Sequence, residues 1–99
     1  MRTRQKSLVD FGVYPEDINR LKDICHKATP DQRHTILHCC IDSCPPGLEL
    51  LVYESIVLGH SYDRIGKREY IPAKRDDFYA YRRKAMSQFY NILRLSREI

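Results

Sequence analysis

"SYDRIGKREYIPAKRDDFYAYRRKAM", residues 61–86, is the stretch on which the fold turns. Ser61 is placed to cap a short helix over about 61–66, with Asp63 near its positive end. Ile71-Pro72 then enforces an extended turn, because the proline ring crowds the preceding residue out of helical geometry. From about 73 to 97 nothing stops a helix, and Phe78, Tyr81, Ala85, Phe89, Ile92 and Leu93 mark its inner side. At about 1.5 Å per residue such a helix runs to roughly 40 Å. That is longer than one small core needs, so its end is expected to project or to pair with a second copy in a homodimer.

Upstream, Tyr14-Pro15-Glu16-Asp17 reads as a helix start, with Ile18, Leu21, Cys25 and Ala28 recurring on one face. Thr29-Pro30-Asp31-Gln32 is a second start, with threonine as cap and glutamine completing a capping box. Ile36, Leu37, Cys40, Ile41 and Cys44 are the expected buried face of that helix, and Pro45-Pro46-Gly47 ends it. "LELLVYESIVLGH" (48–60) is apolar nearly all round, which predicts a central helix closed by a left-handed Gly59. The reading is an all-α chain, a compact bundle of about five helices containing a C-terminal helix-turn-helix with a long last helix. Residues 1–12 are assigned to a basic tail and 13–99 to a single helical domain, with 13–45 a supporting helical hairpin and 46–99 the helix-turn-helix part.

The 99 residues carry a net charge of +4, unevenly spread: +3 over residues 1–7, −4 over 8–60 and +5 over 61–99. The hydrophobic share of 42% is ordinary for a globular domain, and no apolar run approaches the roughly 20 residues that span a bilayer. The basic start "MRTRQKSLVD" lacks the apolar stretch of a secretory signal, so a cytoplasmic chain without membrane contact is expected. Positive charge gathers on the tail and on the helix pair, where a polyanion would dock.

Reading a DNA groove makes three demands of a helix pair. A small residue favours close crossing, and Gly66 fits. The second helix must offer long side chains from its N-terminal half, and Arg75, Tyr79, Arg82, Arg83 and Met86 fall away from the apolar stripe. Backbone anchors are needed around it, a role for Arg64, Lys67, Arg68, Lys74 and Lys84. Of the tyrosines, Tyr62 and Tyr70 are expected to pack across the helix pair and Tyr81 to be half core, leaving Tyr79 on the outer side.

"GHSYDRIGKREY" followed by "FYAYRRKAM" resembles the region-4-type helix-turn-helix of bacterial sigma factors, and more closely small phage-encoded regulators of Gram-positive bacteria. The matching positions are Gly59, Ser61, Tyr62, Ile65 and Gly66, then Phe78, Tyr79, Tyr81, Arg82, Arg83, Lys84 and Ala85. The likeness covers about the last half of the chain. It implies a transcriptional regulator that lays its last helix in the major groove of double-stranded DNA. The chain departs from that pattern in a longer connection, "KREYIPAKRDD", in Lys74 at the cap position, and in Asp76 and Asp77 beside the expected phosphates. These departures favour an alternative, a protein-interaction module on the same scaffold, engaging host RNA polymerase, a nuclease or another host protein.

His34, His38, Cys39, Cys40 and Cys44 lie at one-turn spacings, but the histidines share a face that differs from that of Cys40 and Cys44, so four ligands do not converge on a metal. The thiols, Cys25 included, read as small apolar fillers. Adjacent Asp76 and Asp77 point in different directions on a helix. No nucleophile–base arrangement stands out, so neither an enzyme nor a cofactor is expected.

Overall fold

The computed structural model describes residues 7–99, which form five α-helices and no strand. Half of the assigned tail, residues 1–6, lies outside the described residues. Its end does pack: Leu8 and Val13 are buried, and the Val13 N–H donates to the Leu8 carbonyl at 3.1 Å.

A single 3-10 turn, Pro15–Asp17, leads into α1 (Ile18–His26), with Leu21, Cys25 and then Ala28 buried as the helical spacing predicts. Helix α2 (Pro30–Ser43) opens on the expected capping box. The Gln32 N–H donates to Thr29 Oγ1 at 3.2 Å and the Thr29 N–H to Gln32 Oε1 at 2.9 Å, so two otherwise orphaned donors are satisfied by local chemistry. Its inner face is rotated from the expected one. Ile36, Cys39, Cys40 and Ser43 are buried while Ile41 is half exposed, because the helix is covered by both α3 and α5.

Helix α3 (Glu49–Leu58) runs through the core, burying Leu51, Val52, Ser55, Ile56 and Val57, and ends at Gly59 with φ +73°. A Cβ at that position would meet His26 Cε1 at 3.0 Å, so both backbone and space favour glycine. Helix α4 (Tyr62–Gly66) is a five-residue helix that inserts Ile65 into the core, and α5 (Arg75–Leu95) closes the structure.

Helix α5 corrects the one-sided picture of the last helix. Phe78, Ala85, Phe89 and Leu93 are buried as expected, but so are Ala80, Met86, Ser87 and Tyr90, whereas Ile92 is 42% exposed. The helix is packed against α2 on one side and α3 on another, so its covered arc is far wider than a stripe. Tyr90, fully enclosed, keeps its hydroxyl satisfied by donating to Asp17 Oδ2 at 2.5 Å, a tie from α5 to the entrance of α1. Burial, then the Asp17 carboxylate, pushes the Tyr90 phenol up from its ordinary pKa. With 21 residues the helix is about 32 Å long. That is close to the 37 Å longest extent of the molecule, and at its C-terminal end Leu93 is buried while Ile92 and Leu95 are exposed.

Candidate nucleic-acid interface

Helix α4, too short to persist alone, is fixed by residues of α5 and the turn between them. Ser61 Oγ accepts the Arg64 N–H at 3.1 Å, and Tyr79 Oη accepts the Tyr62 N–H at 3.0 Å, so a distant side chain supplies a second cap. Tyr62 Oη in turn donates to the Ala73 carbonyl at 2.6 Å, and its ring packs edge-to-face on Phe78 at 5.4 Å between centroids. Tyr79, expected outside, is half-buried and braces this crossing, with Phe78 edge-to-face at 5.5 Å. Tyr70, expected to pack, is 84% exposed. Gly66 does not serve close packing, since a Cβ there would meet only Ile71 Cδ1 at 3.8 Å.

The nine side chains read as DNA contacts fall into three groups. Arg64, Lys67 and Lys74 are exposed and form no ion pair among the described residues. Arg68 and Arg75 are held by carboxylates. Arg68 donates to both oxygens of Glu54, at 3.0 and 2.6 Å, and to Glu69, while Arg75 donates to Asp63 at 2.5 Å and lies 5.7 Å from the Tyr62 ring centre. The Arg75–Asp63 pair is more than half exposed on both sides, a surface bridge worth at most about 1 kcal/mol. Glu54 is 18% exposed and also meets His60 Nδ1 at 2.8 Å; hydrogen bonds from Arg68 and then His60 hold its carboxyl down at about 2.

Tyr79, Arg82, Arg83 and Lys84 form the third group, all half-buried on α5, with Met86 fully buried where an outward position had been expected. Arg82 turns toward α1, its guanidinium 5.8 Å from the Tyr79 ring centre and its Nε enclosed with no hydrogen-bond partner. Arg83 has a bonding partner of its own. Lys84 lies toward α2, where its charge is felt at Cys44. The expected single outward face is therefore divided, because Arg82 turns toward Lys22 of α1 while Lys84 turns toward the end of α2.

Sequence reasoning missed the carboxylates. Glu54 and Asp63 are 14 and 12 residues from the arginines they bind, a separation that local pattern does not reveal. All four cysteines are free, and burial pushes Cys25 up to about 12 and Cys39 and Cys44 up to about 11, so they are poor nucleophiles. His34 and His38 stand alone on the outer face of α2, Nε2 to Nε2 at 3.1 Å; among the described residues no three His, Cys, Asp or Glu side chains converge as a metal site. No helix among them is long and apolar enough to cross a membrane. No family model, curated protein or solved structure matches this chain.

Proposed function

We propose that this chain is a small DNA-binding regulator that uses α4, the turn and the start of α5 as a helix-turn-helix docked on double-stranded DNA. The observation that carries this reading is the trio Arg64, Lys67 and Lys74, three exposed cations without ion-pair partners among the described residues. They lie on one helix crossing that tyrosine hydrogen bonds hold stiff. Stiffness matters because cations presented at set separations lose little side-chain and backbone freedom on meeting phosphates. Arg75 joins them by exchanging its exposed Asp63 partner for a phosphate, a swap that costs little. Arg68 does not, being committed to Glu54. Asp76 and Asp77 in the first turn of α5 repel phosphate, which places the backbone contacts on the α4 side.

Fluorescence anisotropy with a random-sequence duplex over a salt series tests this. The wild-type chain is expected to bind, and the triple variant Arg64→Gln, Lys67→Gln, Lys74→Gln to lower the salt slope by about three units while weakening all sequences alike. Undiminished binding by the triple variant at low salt would overturn the assignment.

A second reading, docking on a host protein, is favoured by the neutralised Arg68 and Arg75 and by the mixed-charge groove of Tyr62, Asp63, Gly66, Lys67, Glu69, Tyr70 and Ile71. A partner retained from host lysate after nuclease digestion, together with no duplex binding, would favour it.

A further inference from the structure

Arg82 is the one arginine of the helix pair whose surroundings are wrong for it. Its electrostatic neighbours are Tyr79, Cys25 and Arg83, and none is a carboxylate. It makes no hydrogen bond or ion pair among the described residues, and its Nε is sealed from solvent. Burial pushes its pKa down from the ordinary guanidinium value. A cation withdrawn from water without a counter-charge is costly, and structures offset that cost with an anion or a hydrogen-bond acceptor.

Beside it, between α1 and α5, opens a half-enclosed cleft of about 170 Å³ lined by Lys22, Tyr79, Arg82, Arg83 and Met86. Three of the five lining side chains are cationic and none is acidic. On the same helix as Lys22, Asp23 is bound to Lys27, and Asp17, just before it, accepts from Tyr90, so the nearest carboxylates of this element are engaged elsewhere. Lys22 is exposed and without an ion-pair partner among the described residues, so its ammonium is available. Arg83 adds positive charge to the wall although it is partnered already.

We propose that this α1–α5 cleft is a receptor for a tetrahedral oxyanion, a phosphate or phosphate-monoester group, bound chiefly by Arg82 and Lys22. With its Nε sealed, Arg82 offers the cleft the N–H donors of its two terminal nitrogens, and Lys22 supplies a mobile point charge at the mouth. The Tyr79 ring, with the guanidinium packed over it, holds the plane of Arg82 in place. None of Arg64, Lys67 and Lys74 lines the site, and it does not depend on the DNA reading.

The test is thermal unfolding in millimolar sodium phosphate, below the concentrations at which general salting-out stabilises proteins, against sodium chloride at matched ionic strength, backed by amide NMR titration with inorganic phosphate. Phosphate is expected to raise the wild-type midpoint by several degrees through preferential binding to the folded state. It should also perturb amides around residues 22, 79 and 82. Lys22→Gln, at an exposed position where folding is not at risk, should weaken phosphate binding about tenfold, the equivalent of one charge-assisted contact. Arg82→Met should fold with equal or greater stability, because it removes the stranded cation, yet lose the phosphate response altogether. A duplex added to the phosphate-loaded protein distinguishes the sources. Competition would mean that nucleic-acid phosphates occupy the cleft, and absence of competition would assign it to a free small anion. Equal midpoints in phosphate and chloride, or a response that survives Arg82→Met, would overturn the proposal.

Discussion

Helix α5 meets α4 and α1 within its first three turns, and the two junctions are built in opposite ways. Where it crosses α4, the groups that hold the crossing have partners: Tyr79 takes the Tyr62 N–H, Tyr62 reaches the Ala73 carbonyl, and Arg75 finds Asp63. Where it runs beside α1, Arg82 has a ring and a thiol for neighbours and an enclosed Nε with nothing to bond. A satisfied network stiffens the backbone that carries it, whereas an unsatisfied cation beside a cleft leaves free energy for a ligand to recover. One helix thus has a junction suited to presenting charge and another suited to receiving it.

The sharpest way to break the comparison is at Tyr62. Tyr62→Ala removes the edge-to-face packing on Phe78 and the bond to Ala73, and should cost about 3 kcal/mol in urea unfolding. Tyr62→Phe, losing only the hydroxyl bond, should cost about 1 kcal/mol. If Tyr62→Ala cost no more than Tyr62→Phe, ring packing would not be what holds α4, and the stiffness ascribed to this crossing would be withdrawn.

Glu54 comes next, since it ties the end of the α4 segment back to α3. Its carboxyl is held at about 2, below the ordinary 4.5, so the folded state favours the ionised form. The contribution is therefore complete above about pH 4.5 and is lost as pH falls toward 2. Because Arg68 is 53% exposed, water screens the pair, and the effect is on the order of 1–2 kcal/mol. Glu54→Gln should be less stable than wild type by that amount at pH 7, with the gap narrowing below about pH 4.5 and closing as pH falls through 2. A gap that stays constant with pH would mean that the amide, not the lost charge, causes the difference.

What the sequence made legible were features whose partners are near in the chain. The Thr29–Gln32 box, the Ser61 cap and left-handed Gly59 all depend on residues within a few positions, and all formed as read. Helix count and order followed, because proline and glycine punctuate the apolar periodicity. Facing was harder. The apolar stripe of Phe78, Ala85 and Phe89 implies a helix covered on one side and so turns Tyr79 and Met86 outward, whereas the structure half-buries the first and buries the second. Ala80, Ser87 and Tyr90 were the available sign of a wider arc, since small residues permit close approach by a neighbouring helix and a tyrosine can bury its ring if its hydroxyl finds Asp17. The pairing of Arg68 with Glu54 and Arg75 with Asp63 carried no local sign at all. So the fold was readable in outline, while the candidate interface was readable in composition and not in arrangement.

Gly66 gives the smallest effect and the finest discrimination between a crossing held by small residues and one held by tyrosines. Sequence logic placed glycine there to let two helices approach, in which case any Cβ would wedge them apart and lower stability. In the structure Gly66 is exposed at the end of α4, has no positive φ, and offers a new Cβ only an ordinary 3.8 Å contact with Ile71 Cδ1. Removing a glycine from a helical position also narrows the unfolded ensemble. Gly66→Ala should therefore stabilise the protein by up to about 1 kcal/mol in urea unfolding, and leave duplex binding unchanged. A loss of stability instead would mean that the helices do need a bare backbone at that point, and that the tyrosine bonds follow from close approach and do not cause it.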